Sequence, residues 1–483
     1  MSRINTNITS IRAINSLNVN NADLRTRLAR LSSGLRINAA KDDPAGLIAS
    51  ETLRSEMAGI TQAINNSERA GSVISTAEGA LNEVSALLLN IKSLITSSAN
   101  EGALAPEEIK ANQLQVDSAI QSINRIANST QFEGVKLLTG ELDFTTTDVD
   151  GTDITDLRID EVRFGASSSV DVTIETNTVA EVGEIQWKGT ALAADTTIEV
   201  AGNKGVEVFS FAAGTTRADV AAAINQALDV TGVSAITSTN GLSTGAGTSG
   251  ILFNSREYGS KQFVSVQTVS GTFDTMLADA TTATRDEGVD AEVAVNGVKA
   301  VADGLDVQIN GPTISFQAKL QFATMNVADA TTTFTVTGGG AQFQLGPQVN
   351  AQQMSVLGIQ SIASHKLGND AAGYLRDILT GGSTSLLDGK YQDADEIVSS
   401  AIQQVAKLRG RLGAFQLNTL QSNVNSLNVA LENVTASESA IRDADFAKET
   451  AALTRGQILV QAGTSVLSIA NSSPQNVLAL LGR

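Results

Sequence analysis

TAALTRGQILVQAGTSVLSIANSSPQNVLALLGR, residues 450–483, contains two charged side chains, Arg455 and Arg483. Leu459, Ala462, Val466, Ile469, Val477 and Leu480 recur along it at helical spacing, the apolar stripe that one helix offers to another. The opposite end of the chain carries a counterpart. Ile4, Ile8, Ile11, Ile14, Leu17, Leu24, Leu28, Leu31 and Leu35 fall mostly three and four residues apart, the seam of a helix that packs on partner helices. Neither end can bury its stripe alone. Two such helices at the extremes of a 483-residue chain are expected to pair with each other and with neighbouring copies.

Charge and chemistry narrow the class. A net charge of −18 should repel nucleic acid and anionic membrane surfaces, so neither is expected as a partner. The first 40 residues reverse the sign, with six Arg against Asp23. These arginines are spread along a seam helix with no aromatic residues between them, which is not the footprint of a nucleic-acid binder. With no Cys, disulfides, thiolate metal sites and Cys nucleophiles are excluded. The lone His365 leaves no Ser/His/Asp triad and no HExxH zinc site. No run of 18 apolar residues is present to span a membrane, and the N-terminus lacks the apolar core of a secretory signal. The expectation is a chain soluble when made, with no enzymatic activity, cofactor or metal, and exported by a route that reads no cleaved signal.

Three composition zones follow. Residues 2–139 are rich in Asn, Ser, Ala and Leu, with Phe132 as their only Phe. A long helix is expected after Pro44, whose fixed φ suits a first turn; its stripe is Met57, Ile60, Ile64, Leu81, Val84, Leu88, Ile91 and Ile95. Pro106, Glu107 and Glu108 begin another, with seam Ile109, Val116, Ile120, Ile123 and Ala127. Near the other end, Val398, Ala401, Val405, Leu408, Leu412 and Phe415 form a seam that changes phase and resumes at Leu420, Val424, Leu427, Leu431 and Val434. Such shifts bend or unwind a supercoil locally. Thr435 to Glu438 reads as a capping box before a further helix.

The middle zone, 177–350, holds nine of the 14 Phe residues. Alternating runs at 197–200, 206–211, 291–295, 307–309 and 334–336 predict strands, with hairpin turns at Asn296-Gly297 and Asn310-Gly311. Residues 219–229 predict a short amphipathic helix carrying Val220, Ala223, Ile224 and Leu228. Earlier, 158–164 and 170–174 predict a hairpin turning at 165–169. The expected fold is α+β and multidomain: a coiled-coil-like helical rod formed by both termini, with a β-rich insertion hanging from it. The boundaries expected are 1–44 and 450–483 for the terminal helices, 45–176 and 351–449 for the rod, and 177–350 for the outer region.

Five short segments carry a specific resemblance: LSSGLRINAAKDDPAGL (31–47), EGALNE (78–83), QFEGVKLL (131–138), IRDADFAKE (441–449) and PQNVLALL (474–481). In order and placement they resemble bacterial flagellin, over about the first 175 and last 130 residues. Residues 218–233 resemble a short motif of flagellin outer domains. The resemblance implies a subunit that self-assembles into the helical flagellar filament, with Ile4, Ile8, Ile11, Leu24, Leu28, Leu31, Leu459, Val466, Ile469, Val477 and Leu480 in an inner tube. The break at 38–43, with Asn38, Lys41, Asp42 and Asp43, becomes a rod connector that touches neighbouring subunits. Asp42 and Asp43 resemble a paired-carboxylate site, but adjacent residues do not share a helix face.

As further partners the resemblance implies hook-junction proteins, the filament cap and an export chaperone on the C-terminal helix, with export through the flagellar type III system to the cell exterior. Two alternatives are a hook-filament junction protein of the same superfamily and a surface adhesin or glycan-binding module carried by the outer region. Flagellins that stimulate Toll-like receptor 5 use an Arg, a Leu and a Glu on the rod. The matching positions here are Asn90, Leu94 and Gln115, so a weakened receptor patch is expected.

Overall fold

A computed structural model describes residues 6–165, 167–238, 250–277, 281–311, 313–325, 327, 329–370 and 372–481. In chain order the helices are α1 (Ile8–Ser33), α2 (Pro44–Ser98), α3 (Pro106–Ser129), α4 (Arg217–Gln226), α5 (Leu228–Thr231), α6 (Phe322–Met325), α7 (Tyr391–Ala414), α8 (Ser422–Arg442) and α9 (Phe446–Leu481). A π-helical stretch, Phe415–Gln421, joins α7 to α8. The chain divides into two compact units, one comprising 1–70, 344–349 and 417–483, the other 71–343 and 350–416.

In the first unit, α1 starts where the Asn7 side chain accepts from the Ser10 N–H. It stops at Gly34, whose φ of 73° places it in the left-handed region that glycine adopts without strain. Asp43 opens α2 in the same way, its Oδ1 accepting from the Gly46 N–H at 2.9 Å. The lower turns of α2 lie antiparallel to α8: Ser50 Oγ donates to Glu438 Oε1, and Asn423 donates to Ser67 Oγ. Ile60, Ala63 and Leu427 are the buried centre of that pairing, with Ile64, Leu431 and Val434 packed around them. Thr435 and Glu438 therefore sit inside α8 and start no new helix. Glu438 is turned to Ser50 and Arg442 instead of back along its own backbone.

The second unit stands on a helical base. Leu81, Val84, Leu88, Ile91 and Ile95 of α2, Val116, Ile120, Ile123 and Ala127 of α3, and Val398, Ala401, Val405, Leu408 and Leu412 of α7 are all buried, as their spacing predicts, and Ile74 of α2 is buried with them. Here α2 and α7 run antiparallel, tied by Lys92 to Asp395 at 3.2 Å and by Arg409 to Glu78 at 3.7 Å.

Beyond this base lies a sandwich of two antiparallel sheets. One has the order Val301–Asp303, Asp306–Asn310, Ile314–Leu320, Ile154–Val162, Met354–Leu357, Ala341–Gln344. The other has the order Val298–Lys299, Glu292–Val295, Val170–Thr178, Ala330–Gly339, Phe144–Thr147. Their shared core centres on Phe316 and Phe334, edge to face at 5.4 Å. Asn296 and Gly297, at φ 48° and 77°, make the expected tight turn between paired Val295 and Val298.

The predicted hairpin of 158–164 with 170–174 does not form. Ile154–Val162 pairs with Ile314–Leu320, and Val170–Thr178 with Ala330–Gly339 and Glu292–Val295, so the two strands belong to opposite sheets. Each has one apolar face, and only a facing sheet can bury it, which a local two-stranded ribbon cannot supply.

A second core, separate from the sandwich, gathers Ile185, Trp187, Ile198, Val200, Phe253, Val264 and Phe273 with Val220 and Ile224 of α4. Trp187 and Phe273 stack at 4.6 Å. The outer zone is thus two β-rich cores, the outer one carrying the predicted helix.

Candidate assembly surface

The terminal helices pair within the first unit. Antiparallel register is fixed at one end by Asn7 Nδ2 donating to the Ala470 carbonyl and Ser10 Oγ donating to Asn471 Oδ1, both at 2.7 Å. At the other end Arg27 Nη1 reaches both oxygens of Glu449, at 3.1 and 2.9 Å. Between these points leucines of α1 lie over glycines of α9. A Cβ built on Gly463 would meet Leu17 Cδ1 at 3.3 Å, and one on Gly456 would meet Leu24 Cδ1 at 3.4 Å, so the small residues let the backbones approach closely.

The seam inside the chain is therefore not the one that hydropathy marks on the C-terminal helix. It runs through Leu453, Gly456, Val460, Gly463, Leu467 and Ala470, all at least partly covered. Leu459, Val466 and Ile469 point away and are 46%, 55% and 68% exposed. On α1, Leu17, Leu24 and Leu31 are half-buried, whereas Ile8, Ile11, Ile14 and Leu28 are exposed. Ile4 lies outside the described residues, as do the side chains of Val477 and Leu480.

Below this pair the connector is a backbone staple. Leu35 and Asp443 form an antiparallel bridge; the Arg36 N–H donates to the Arg442 carbonyl at 2.7 Å and the Ala444 N–H to the Gly34 carbonyl at 2.9 Å. Asp42 accepts from the Asn38 and Ala39 N–H groups and Asp43 caps α2. Both carboxylates serve backbone donors, while Asn38 and Lys41 face solvent. Nothing in the sequence marks the staple, because main-chain bonds carry no side-chain signature; the Arg36 side chain adds a bond from Nε to the Ile441 carbonyl at 3.1 Å. In the second unit Asn90 and Gln115 are exposed and Leu94 is half-buried.

Residues 4–143 match the bacterial flagellin N-terminal helical region, and residues 396–481 its C-terminal helical region. The B-type flagellin of Pseudomonas aeruginosa is 32% identical over 99% of both chains. The chain belongs to the bacterial flagellins. Flagellin from Salmonella typhimurium and flagellin D of Vibrio anguillarum are each 29% identical, again over 99% of both chains. Residues 197–249 match the flagellin hook IN motif, which falls on the outer core around α4. This flagellin is a structural subunit of the helical flagellar filament that drives swimming, and not an enzyme. The filament to which its relatives belong is extracellular.

Proposed function

We propose that the exposed apolar faces of α1 and α9 are the surfaces through which copies of this flagellin join. The observation that supports this is the division of labour on α9, where glycines and alanine face α1 while Leu459, Val466 and Ile469 face outward. Large aliphatic side chains left uncovered in rows mark an interaction site. Contacts of this kind, repeated head to tail without closing, generate a helical polymer. In this reading 1–44 and 450–483 form the inner tube. The rod and connector surround it, Asn38 and Lys41 touching neighbouring subunits, and 177–350 face outward. The same α9 face would be covered by an export chaperone before type III secretion, and would meet the junction proteins and the cap at the filament ends.

The test is Val466→Asp. An unpaired charge on a face that must dry on assembly is expensive, so seeded polymerisation should be abolished while the sandwich and outer core stay folded. Filaments of normal length from that variant would refute the proposal.

The receptor patch is read as weakened, since Asn90 lacks a guanidinium and Gln115 is neutral. Truncating one partner of a charged interfacial pair costs about 2–5 kcal/mol. Monomer should therefore activate Toll-like receptor 5 less than a flagellin bearing the charged pair, and Asn90→Arg with Gln115→Glu should restore part of the response. Equal dose-response curves for the unmodified chain and a charged-patch flagellin would count against it.

A further inference from the structure

Among the described residues, Glu449 is the only Asp, Glu, Lys or Arg that is buried, at 6% exposure. It sits in the first turn of α9 and receives Arg27 on both oxygens and Arg30 Nη1 at 3.3 Å on one. Asp23 holds Arg27 from the far side at 3.3 Å. The other carboxylate nearby, Asp445, accepts from the Ala447 and Lys448 N–H groups. The rest of the seam is uncharged, and it repeats. Leu17, Leu24 and Leu31 are one heptad apart, and so are Gly456, Gly463 and Ala470.

Taken alone, that repeat makes the apolar seam nearly blind to a slip of seven residues; the bonds of Asn7 and Ser10 at one end and the backbone staple at the other also resist it. Shifted one way, Leu24 would lie over Gly463 and Leu31 over Gly456; shifted the other way, Leu17 would lie over Gly456. Leucine meets glycine in both cases, and close packing survives. Glu449 does not tolerate either shift. The first carries it beyond Gly34, where α1 has ended; the second buries it against Leu24, without an arginine. A lone polar group in a coiled seam sets register because wrong alignments leave it unpaired.

We propose that Glu449, clamped by Arg27 and Arg30, is the register key within the seam of the terminal helix pair, the positioning residue that, together with the ties at the two ends, selects one alignment among those the heptad repeat allows. The inference rests on the reading that copies join through α1 and α9, because a slipped pair would present Ile11 and Val466 at the wrong relative height to a neighbouring copy. Helix polarity agrees with the placement: the carboxylate lies at the N-terminal end of α9 and the guanidinium groups toward the C-terminal end of α1, where each charge is favoured.

The natural absence of cysteine allows a direct test in the full chain. Ser10→Cys with Asn471→Cys reports the observed register, and Ser10→Cys with Thr464→Cys reports the slipped one. Each is read as an intrachain product on a denaturing gel of assembled, oxidised protein. Against the native background, Glu449→Gln should raise the slipped-to-observed ratio roughly tenfold or more and raise the critical concentration for polymerisation. In an Arg27→Gln, Arg30→Gln background the slip should already be present, and Glu449→Gln should add less than about twofold. An unchanged ratio in Glu449→Gln, or an equal effect in both backgrounds, would overturn the proposal. Normal polymerisation of Val466→Asp would instead remove the assembly reading, leaving the cross-link ratio to judge Glu449 by itself.

Discussion

At the scale of single residues, the terminal pair balances one buried carboxylate against two guanidinium groups. Burial pushes the Glu449 carboxyl up, but the hydrogen bonds and charges of Arg27 and Arg30 outweigh it and hold the group below the ordinary glutamate range. A carboxyl with a folded value below its unfolded one contributes stability that is fully present above the unfolded value. That contribution is lost as pH falls through the folded value. The terminal pair should therefore hold its observed register at neutral pH and begin to lose it once pH drops below the ordinary glutamate value of about 4.3. Following the two cross-links from pH 7 downward tests this: the native chain should switch toward slip in acid, and Glu449→Gln should show a ratio that no longer depends on pH in that window. None of this was legible in sequence. Glu449 falls within a segment that resembles flagellin, but hydropathy ranks Leu459 and Val466 above Gly456 and Gly463, and close approach depends on what a residue lacks.

At the scale of elements, periodicity was most informative where a stripe is long and meets a helix. The buried faces of α2, α3 and α7 coincide with the predicted stripes because burying each such side chain stabilises by about 1.5–3 kcal/mol, enough to impose one orientation. The phase change between Phe415 and Leu420 was also readable, and its structural form is the π-helical stretch Phe415–Gln421. Extra residue per turn lets the apolar face that buries Leu412 return to bury Leu420 and then Leu427, without ending the helix. Strand existence was legible from alternation, strand partnership was not. Val172 and Ile174 announce a buried face, but nothing near them in sequence says that Phe334 and Phe316 complete it. Excising a single residue from this stretch, Asn418, tests the idea at its own scale. It should convert the π turn to regular α-helix and leave the buried face of α8 unrotated, because Leu412 and Leu420 would then stand seven residues apart, about two turns at 3.6 residues per turn. Leu427 would keep its place against Ile60 with helical content retained, whereas a product that uncovers Leu427 and loses thermal stability would count against this account.

At the scale of the whole molecule, the strand partnerships decide which part of the chain can be removed. Cutting at 177 and 350 would strip Ile154–Val162 and Val170–Thr178 of the strands that cover them, exposing Val162, Val172 and Ile174. The outer core can be removed more cleanly. Glu181 and Val289 form an antiparallel bridge, with the Glu181 N–H on the Val289 carbonyl at 2.9 Å and the Val289 N–H on the Glu181 carbonyl at 3.0 Å. Replacing residues 182–288 by an Asn-Gly turn should leave the sandwich folded and the chain able to polymerise. It would lose the stack of Tyr258 on Phe322 at 4.5 Å and the bonds from Ser260 to Asp290, so a modest drop in melting temperature is expected. Electron micrographs of the product settle the matter: filaments support the division, and a soluble helical product that never polymerises would show that the outer core makes an essential contact between subunits.

The Glu181–Val289 bridge also bears on how quickly such a chain can find its fold. Strands that must meet across the insertion, Val170–Thr178 and Glu292–Val295, are far apart along the chain, and pairing across long separations slows folding. The outer core contains its own aromatic centre and its own helix, so it can close first from short-range pairings such as Thr196–Gly202 with Val206–Phe211. Once closed, it returns the two chain passages one hydrogen bond apart. The sandwich then experiences the insertion as a short loop, and because loop-closure entropy grows by only about 0.6 kcal/mol per doubling of length, even that residual term is small. Insertions of different length at this point would leave the search problem of the sandwich unchanged.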